Sequence, residues 1–199
     1  MMPMRRVAGA FVLFALVACG ARATTTPKAP LAPAADVPTV PVPPSLARDG
    51  MTESTAQVDA TAVAADAIHP DVLAQALGAA GFRAGSERVA TGGDGPFSRI
   101  VVRRLRFADG AGAASFVDWI AANAGTEFFP VEALELPGVP EDVLLLRHVP
   151  DGCCPRETRI YLAAWQRGDE VVVVSARGPR STDPAMVDLV DHLTANEGS

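Results

Sequence analysis

The clearest periodicity in the chain lies near its C-terminal end. Met186, Leu189, Val190 and Leu193 fall at i, i+3, i+4 and i+7, the spacing that gathers apolar side chains on one helical face. Asp183 stands before them as a cap, Pro184 suits a first turn, and Asp188 and Asp191 fall on the water side. Residues 159–166 and 170–177 read as two strands joined by a turn at Arg167-Gly168-Asp169, the clearest hairpin in the chain. The uninterrupted Val171-Val172-Val173-Val174 predicts a strand covered on both faces. Further upstream, Pro70 opens a helix carrying Val72, Leu73, Leu77 and Ala80 and ended by Gly81. Residues 82–90 and 97–107 are strand-like, with a Gly- and Pro-rich turn over 91–96. Asp109 can cap a helix over 111–124 with Ala113, Phe116, Val117, Ile120 and Ala124 on one face and Trp119 at its margin; Gly125 is the expected stop. Residues 128–136 read as extended, 137–140 as a turn and 143–149 as a strand. Strands joined by short turns, with helices between groups of them, predict an α+β domain: a mainly antiparallel sheet with two to three packed helices.

What precedes this pattern has a different character. Seven prolines are scattered over residues 21–50 with no aromatic residue, a composition that favours an extended tether. Thirty such residues could reach roughly 90 Å. Residues 51–68 are alanine-rich and are expected to be partly helical. The folded domain is therefore placed at 69–199 and the tether at 19–68.

At the start, Arg5 and Arg6 precede a charge-free apolar run of 12 residues, 7–18. That is the layout of a secretory signal peptide and is well short of the roughly 20 residues of a membrane-spanning helix. Leu16-Val17-Ala18-Cys19 resembles the bacterial lipobox. The resemblance implies removal of residues 1–18, acylation of Cys19 and a lipid-anchored protein on the extracytoplasmic face of the cell membrane. The alternative is a plain signal peptide that happens to contain a cysteine. Two or more acyl chains on one residue give stable anchoring, which a single chain does not.

Without residues 1–18 the chain has 15 basic and 23 acidic residues, a formal charge of −8. That argues against nucleic acid and against electrostatic binding to anionic lipid. Besides Cys19 the only cysteines are the neighbours Cys153 and Cys154. Their readings are a strained vicinal disulfide in a turn set by Asp151-Gly152 and Pro155, intermolecular bridges, or metal ligands shared with His148. The last lacks a fourth ligand, and neither a metal nor a cofactor is expected. His69, His148 and His192 lie in different elements, and no G-x-S-x-G motif is present. Gly92-Gly93-Asp94-Gly95 precedes no helix and so is not a phosphate loop, and Arg167-Gly168-Asp169 is explained by its turn. Arg99, Arg103, Arg104 and Arg106 crowd one strand, where Arg104 and Arg106 share parity with Ile100 and Val102. They offer a face for an anionic partner, or a solvated or edge-strand face.

The strand Val102-Arg103-Arg104-Leu105-Arg106-Phe107 with Ala113-Ala114-Ser115-Phe116 after it, the Leu136-Pro137-Gly138-Val139-Pro140 turn, the Gly168 hairpin and the closing helix together resemble small actinobacterial envelope lipoproteins. The wealth of Ala, Gly, Val and Arg has the same association. This resemblance implies an α+β domain of about 130 residues and carries no catalytic residue. No enzyme is expected. The expected function is binding of an envelope protein or other envelope component. The alternative is a carrier or sensor of a lipidic or other apolar small molecule, with Phe116, Trp119 and Ile120 as its wall.

Overall fold

The computed structural model describes residues 39–46, 50–127, 131–148 and 159–196. Cys19, Cys153 and Cys154 lie outside them. The elements are β1 (Met51–Val58), α1 (Ala60–Ala64), α2 (Pro70–Ala79), β2 (Phe82–Gly92), β3 (Arg99–Phe107), α3 (Gly110–Glu127), β4 (Val131–Ala133), β5 (Leu144–His148), β6 (Arg159–Arg167), β7 (Glu170–Gly178) and α4 (Asp183–Ala195). The strands form one seven-stranded sheet in the order β1-β2-β3-β7-β6-β5-β4, antiparallel at each junction. The α+β architecture read from the sequence is the one observed.

Strand alternation sorts the sheet into two faces. On one, Ile100 and Val102 of β3, Tyr161, Ala163 and Trp165 of β6, and Val172, Val174 and Ala176 of β7 bury against Met186, Leu189, Val190 and Leu193 of α4. On the other, Leu105, Phe107, Leu146, Leu162, Ala164 and Val171 bury against α1, α2 and the Ala113-Phe116-Ile120-Ala124 stripe of α3. The valine run of β7 thus feeds both cores, as its lack of alternation predicts. Gly168 closes the β6–β7 hairpin with φ +61°, a left-handed conformation that glycine adopts without strain.

Several boundaries differ from the sequence reading. Residues 51–58 are a strand, not part of a helix or a tether, and pair with β2 along their whole length. The folded region therefore begins well before His69. It takes in part of the proline-rich stretch as well: Val40 and Leu46 are 0% and 2% exposed. Prolines deprive this segment of donors and leave its carbonyls without internal partners, so β1 and β2 supply them. Ser86 Oγ donates to Pro41 O at 2.7 Å and Arg88 Nε to Pro43 O at 2.8 Å. Gln57 and Val40 exchange two hydrogen bonds, and Glu53 accepts from Leu46 N. We call residues 39–46 the strap; it lies on the α4 side of the sheet.

Helix α3 runs through Gly125 to Glu127. Glycine weakens a helix by only about 1 kcal/mol relative to alanine, and Glu127 anchors the last turn by accepting Ile68 N on its backbone carbonyl. The cap of α4 is Thr182, one residue before the expected Asp183, with its hydroxyl accepting from Ala185 N. Strand β3 lies inside the sheet, so its arginines do not guard an edge.

Candidate functional site

Helices α1–α3 cover the part of their sheet face around Leu105, Phe107, Leu146 and Ala164, and Leu162 lies at its border. Beyond the part covered by the described helices lies a cleft of about 390 Å³, within the roughly 300–1,000 Å³ typical of small-molecule sites. The strand register lays its floor out in cross-strand rows. Arg99 faces Arg177, which in turn faces Ile160. Val101 faces Ser175, and Ser175 faces Leu162. Val131 and His148 pair at the β4–β5 side, and Asp66 from the α1–α2 connection contributes to the wall. Val101 and Leu162 are buried even here, at 6% and 7% exposure, so the floor is apolar and tightly seated.

Arg103 also lines the cleft, but its bonding capacity is used internally. Its Nε donates to Glu87 at 2.6 Å, its Nη2 to Asp66 at 2.7 Å and its Nη1 to the Val63 carbonyl at 3.4 Å. Its strand neighbours Arg104 and Arg106 point to the opposite face, where both donate to the buried carboxylate of Glu170. Burial by itself pushes the Glu170 pKa up; the bonds from Arg106 and Arg104 outweigh it and hold it below the ordinary 4.5. The crowded arginines of β3 therefore divide by parity between two sites.

A second polar group stands at the start of α4. Tyr161, fully buried, donates to Asp183 at 2.6 Å, and Arg147 donates to both Asp183 oxygens at 2.9 and 3.0 Å and to Glu132. Burial raises and these bonds lower the Asp183 pKa, with a net fall below 3.8; burial and the Asp183 contact push Tyr161 up from 10.0. This network ties β4, β5 and β6 to α4 and faces away from the cleft.

The histidines do not converge. His148 is in the cleft, His69 sits 3.3 Å from Glu127, and His192 meets the strap at the Ser45 carbonyl. Among the described residues there is no group of three or more metal-capable side chains, and no helix is long and apolar enough to cross a membrane. Phe116, Trp119 and Ile120 were expected to wall a ligand site, and the structure places them elsewhere. Phe116 and Ile120 are 2% and 1% exposed in the core, and Trp119 stacks on Phe116 with its ring centroid 6.0 Å away. None of the three lines the cleft, because α3 presses its apolar stripe directly onto the sheet. Arg99, Arg103 and His148 were singled out in the sequence and do line it. Asp66, Val101, Val131, Ile160, Leu162, Val173, Ser175 and Arg177 were not; alternation puts Val173, Ser175 and Arg177 on one face of β7, but only the β3–β7 register brings that face beside Arg99.

No protein-family model matches the chain, and no curated protein matches it. Among solved structures, the extracellular domain of PknH from Mycobacterium tuberculosis aligns with a TM-score of 0.46 and 13% sequence identity, covering 73% of this chain and 86% of that one.

Proposed function

We propose that the protein is a non-enzymatic binding module of the cell envelope, anchored through acylated Cys19, that holds an apolar small molecule in the cleft. The observation that carries this reading is the part of one sheet face that, among the described residues, no helix covers, over an apolar floor. The opposite face, by contrast, is closed by α4 and the strap. An apolar concavity of this kind is characteristic of a ligand site. Docking of an envelope protein is the second reading. It draws on Ile68 and Val72, exposed at 48% and 43% beside the α1–α2 connection.

The test is native mass spectrometry of the full-length protein exported from an actinobacterial host. The expected result is extra mass from acylated Cys19 and, separately, a non-covalent component that organic solvent strips away. A chain carrying no strippable mass, and taking up none when incubated with envelope lipid extract, would overturn the small-molecule reading. Absence of acyl mass would overturn the anchor.

A further inference from the structure

We infer that the cleft takes an amphiphile with an oxyanion head, a carboxylate or a phosphate monoester, gripped between Arg99 and Arg177. This rests on the small-molecule reading above and adds the chemistry of the ligand.

The two arginines are direct cross-strand neighbours on β3 and β7. Like charges at directly opposed positions repel and destabilise a sheet, so such a pair normally recruits a carboxylate. This chain has acid to offer, at 23 Asp and Glu against 17 Lys and Arg. Its other β3 arginines have recruited it: Arg103 holds Glu87 and Asp66, while Arg104 and Arg106 share Glu170. Among the described residues no ion pair reaches Arg99 or Arg177. Asp66, the carboxylate among the described residues of the cleft wall, is already bound to Arg103. An oxyanion placed between the two guanidinium forks would relieve their repulsion and accept bidentate hydrogen bonds.

The rest of the cleft says what the anion is attached to. Ile160 lies beside Arg177, Leu162 lies beside Ser175, and Val131 stands on the far strand. From β3 to β4 the floor crosses five strands, about 19 Å at the usual spacing. A cationic end and an apolar run of that width match a head and a tail. A bare anion would have no use for the apolar floor, and a neutral lipid none for the arginine pair.

The experiment measures binding of five probes to the full-length protein after solvent stripping, below their micelle concentrations: dodecanoate, dodecyl phosphate, dodecanol, dodecyltrimethylammonium and inorganic phosphate. Dodecanoate or dodecyl phosphate should bind at least about tenfold more tightly than dodecanol, and whichever is tighter assigns the head as carboxylate or phosphate. The double variant Arg99→Gln/Arg177→Gln should lose that preference while melting no lower than the wild type, since it removes a repulsion. Arg99→Lys/Arg177→Lys should keep most of the preference. Dodecanol binding as tightly as both anions, a preference surviving the double Gln variant, or inorganic phosphate binding as well as dodecyl phosphate would overturn the inference and leave the cleft a small-molecule site. Tightest binding of the cationic probe would overturn it too. Failure of every dodecyl probe to bind would overturn both the inference and the reading beneath it.

Discussion

Glu170 is 6% exposed and stands at the head of β7 between two guanidinium groups. One oxygen accepts from Arg104 Nε and Nη2 at 3.2 and 2.7 Å; the other accepts from Arg106 Nε at 3.1 Å and from its Nη2. Glu170→Gln keeps the shape, removes the charge and turns one acceptor into an NH2 donor aimed at a guanidinium. Hydrogen bonds to charged groups contribute about 1.5–3 kcal/mol each. The four do not simply add, because the arginine side chains are 19% and 30% exposed and regain water when released. The expected loss is about 2–3 kcal/mol, which for a domain of this size lowers Tm by roughly 5–10 °C. The pH dependence has a definite sign. The folded-state pKa lies below 4.5, so the stabilisation is fully present above that value and fades as pH falls through the lower folded value. Thermal unfolding of wild type and variant at several pH values is the assay. A difference under about 0.5 kcal/mol at pH 7, or one that widens on acidification, would refute the reasoning.

Asp183→Asn should likewise destabilise at neutral pH, by about 1–3 kcal/mol, as seen in urea unfolding. Its effect should shrink below the ordinary carboxylate pKa of 3.8, since the folded value is lower. Gly178→Ala should cost about 1–3 kcal/mol: its Cβ would lie 2.5 Å from the Pro96 carbonyl oxygen and 2.7 Å from Phe97 Cα, both backbone. Gly125→Ala should go the other way in the same melting assay. It meets nothing within 4 Å inside α3, and the helix should gain about 0.5–1 kcal/mol. Leu46→Ala removes a 2% exposed side chain from the core and should cost about 2 kcal/mol or more. It should also speed hydrogen exchange at Leu46 and neighbouring strap amides before the rest of the domain opens.

How far the sequence could be read depended on where each element found its burial. Helix α4 was legible because its stripe and its proline are local signals, although the cap proved to be Thr182 and not Asp183. The β6–β7 hairpin was legible because Gly168 and the valine run are local signals. Strand β1 was not: MTESTAQV offers few apolar residues, and much of its order comes from the strap through Glu53 and Gln57 and from pairing with β2. Those partners are invisible to any local window. The aromatic stripe at Phe116 and Ile120 showed the core face of α3, but periodicity marks burial without saying whether a ligand or a sheet supplies it. The arginine-rich strand was visible too, and its parity correctly separated Arg104 and Arg106 from Arg99 and Arg103. What parity could not convey is that β3 lies inside the sheet, or that helices stop short of Arg99, because both depend on the order in which distant strands meet.

The strap sits on the α4 side of β1 and β2, with the cleft on the opposite face. Tension arriving from upstream of Thr39 would therefore first load Gln57, Ser86 and Arg88, the side chains that clamp the strap. These hydrogen bonds and the buried Val40 and Leu46 hold the strap separately from the β2–β3–β7 ladder behind it, so the strap would act as a mechanical fuse. The strap would peel before the central strands carrying Arg99 and Arg177 moved, and the cleft would keep its geometry under that load.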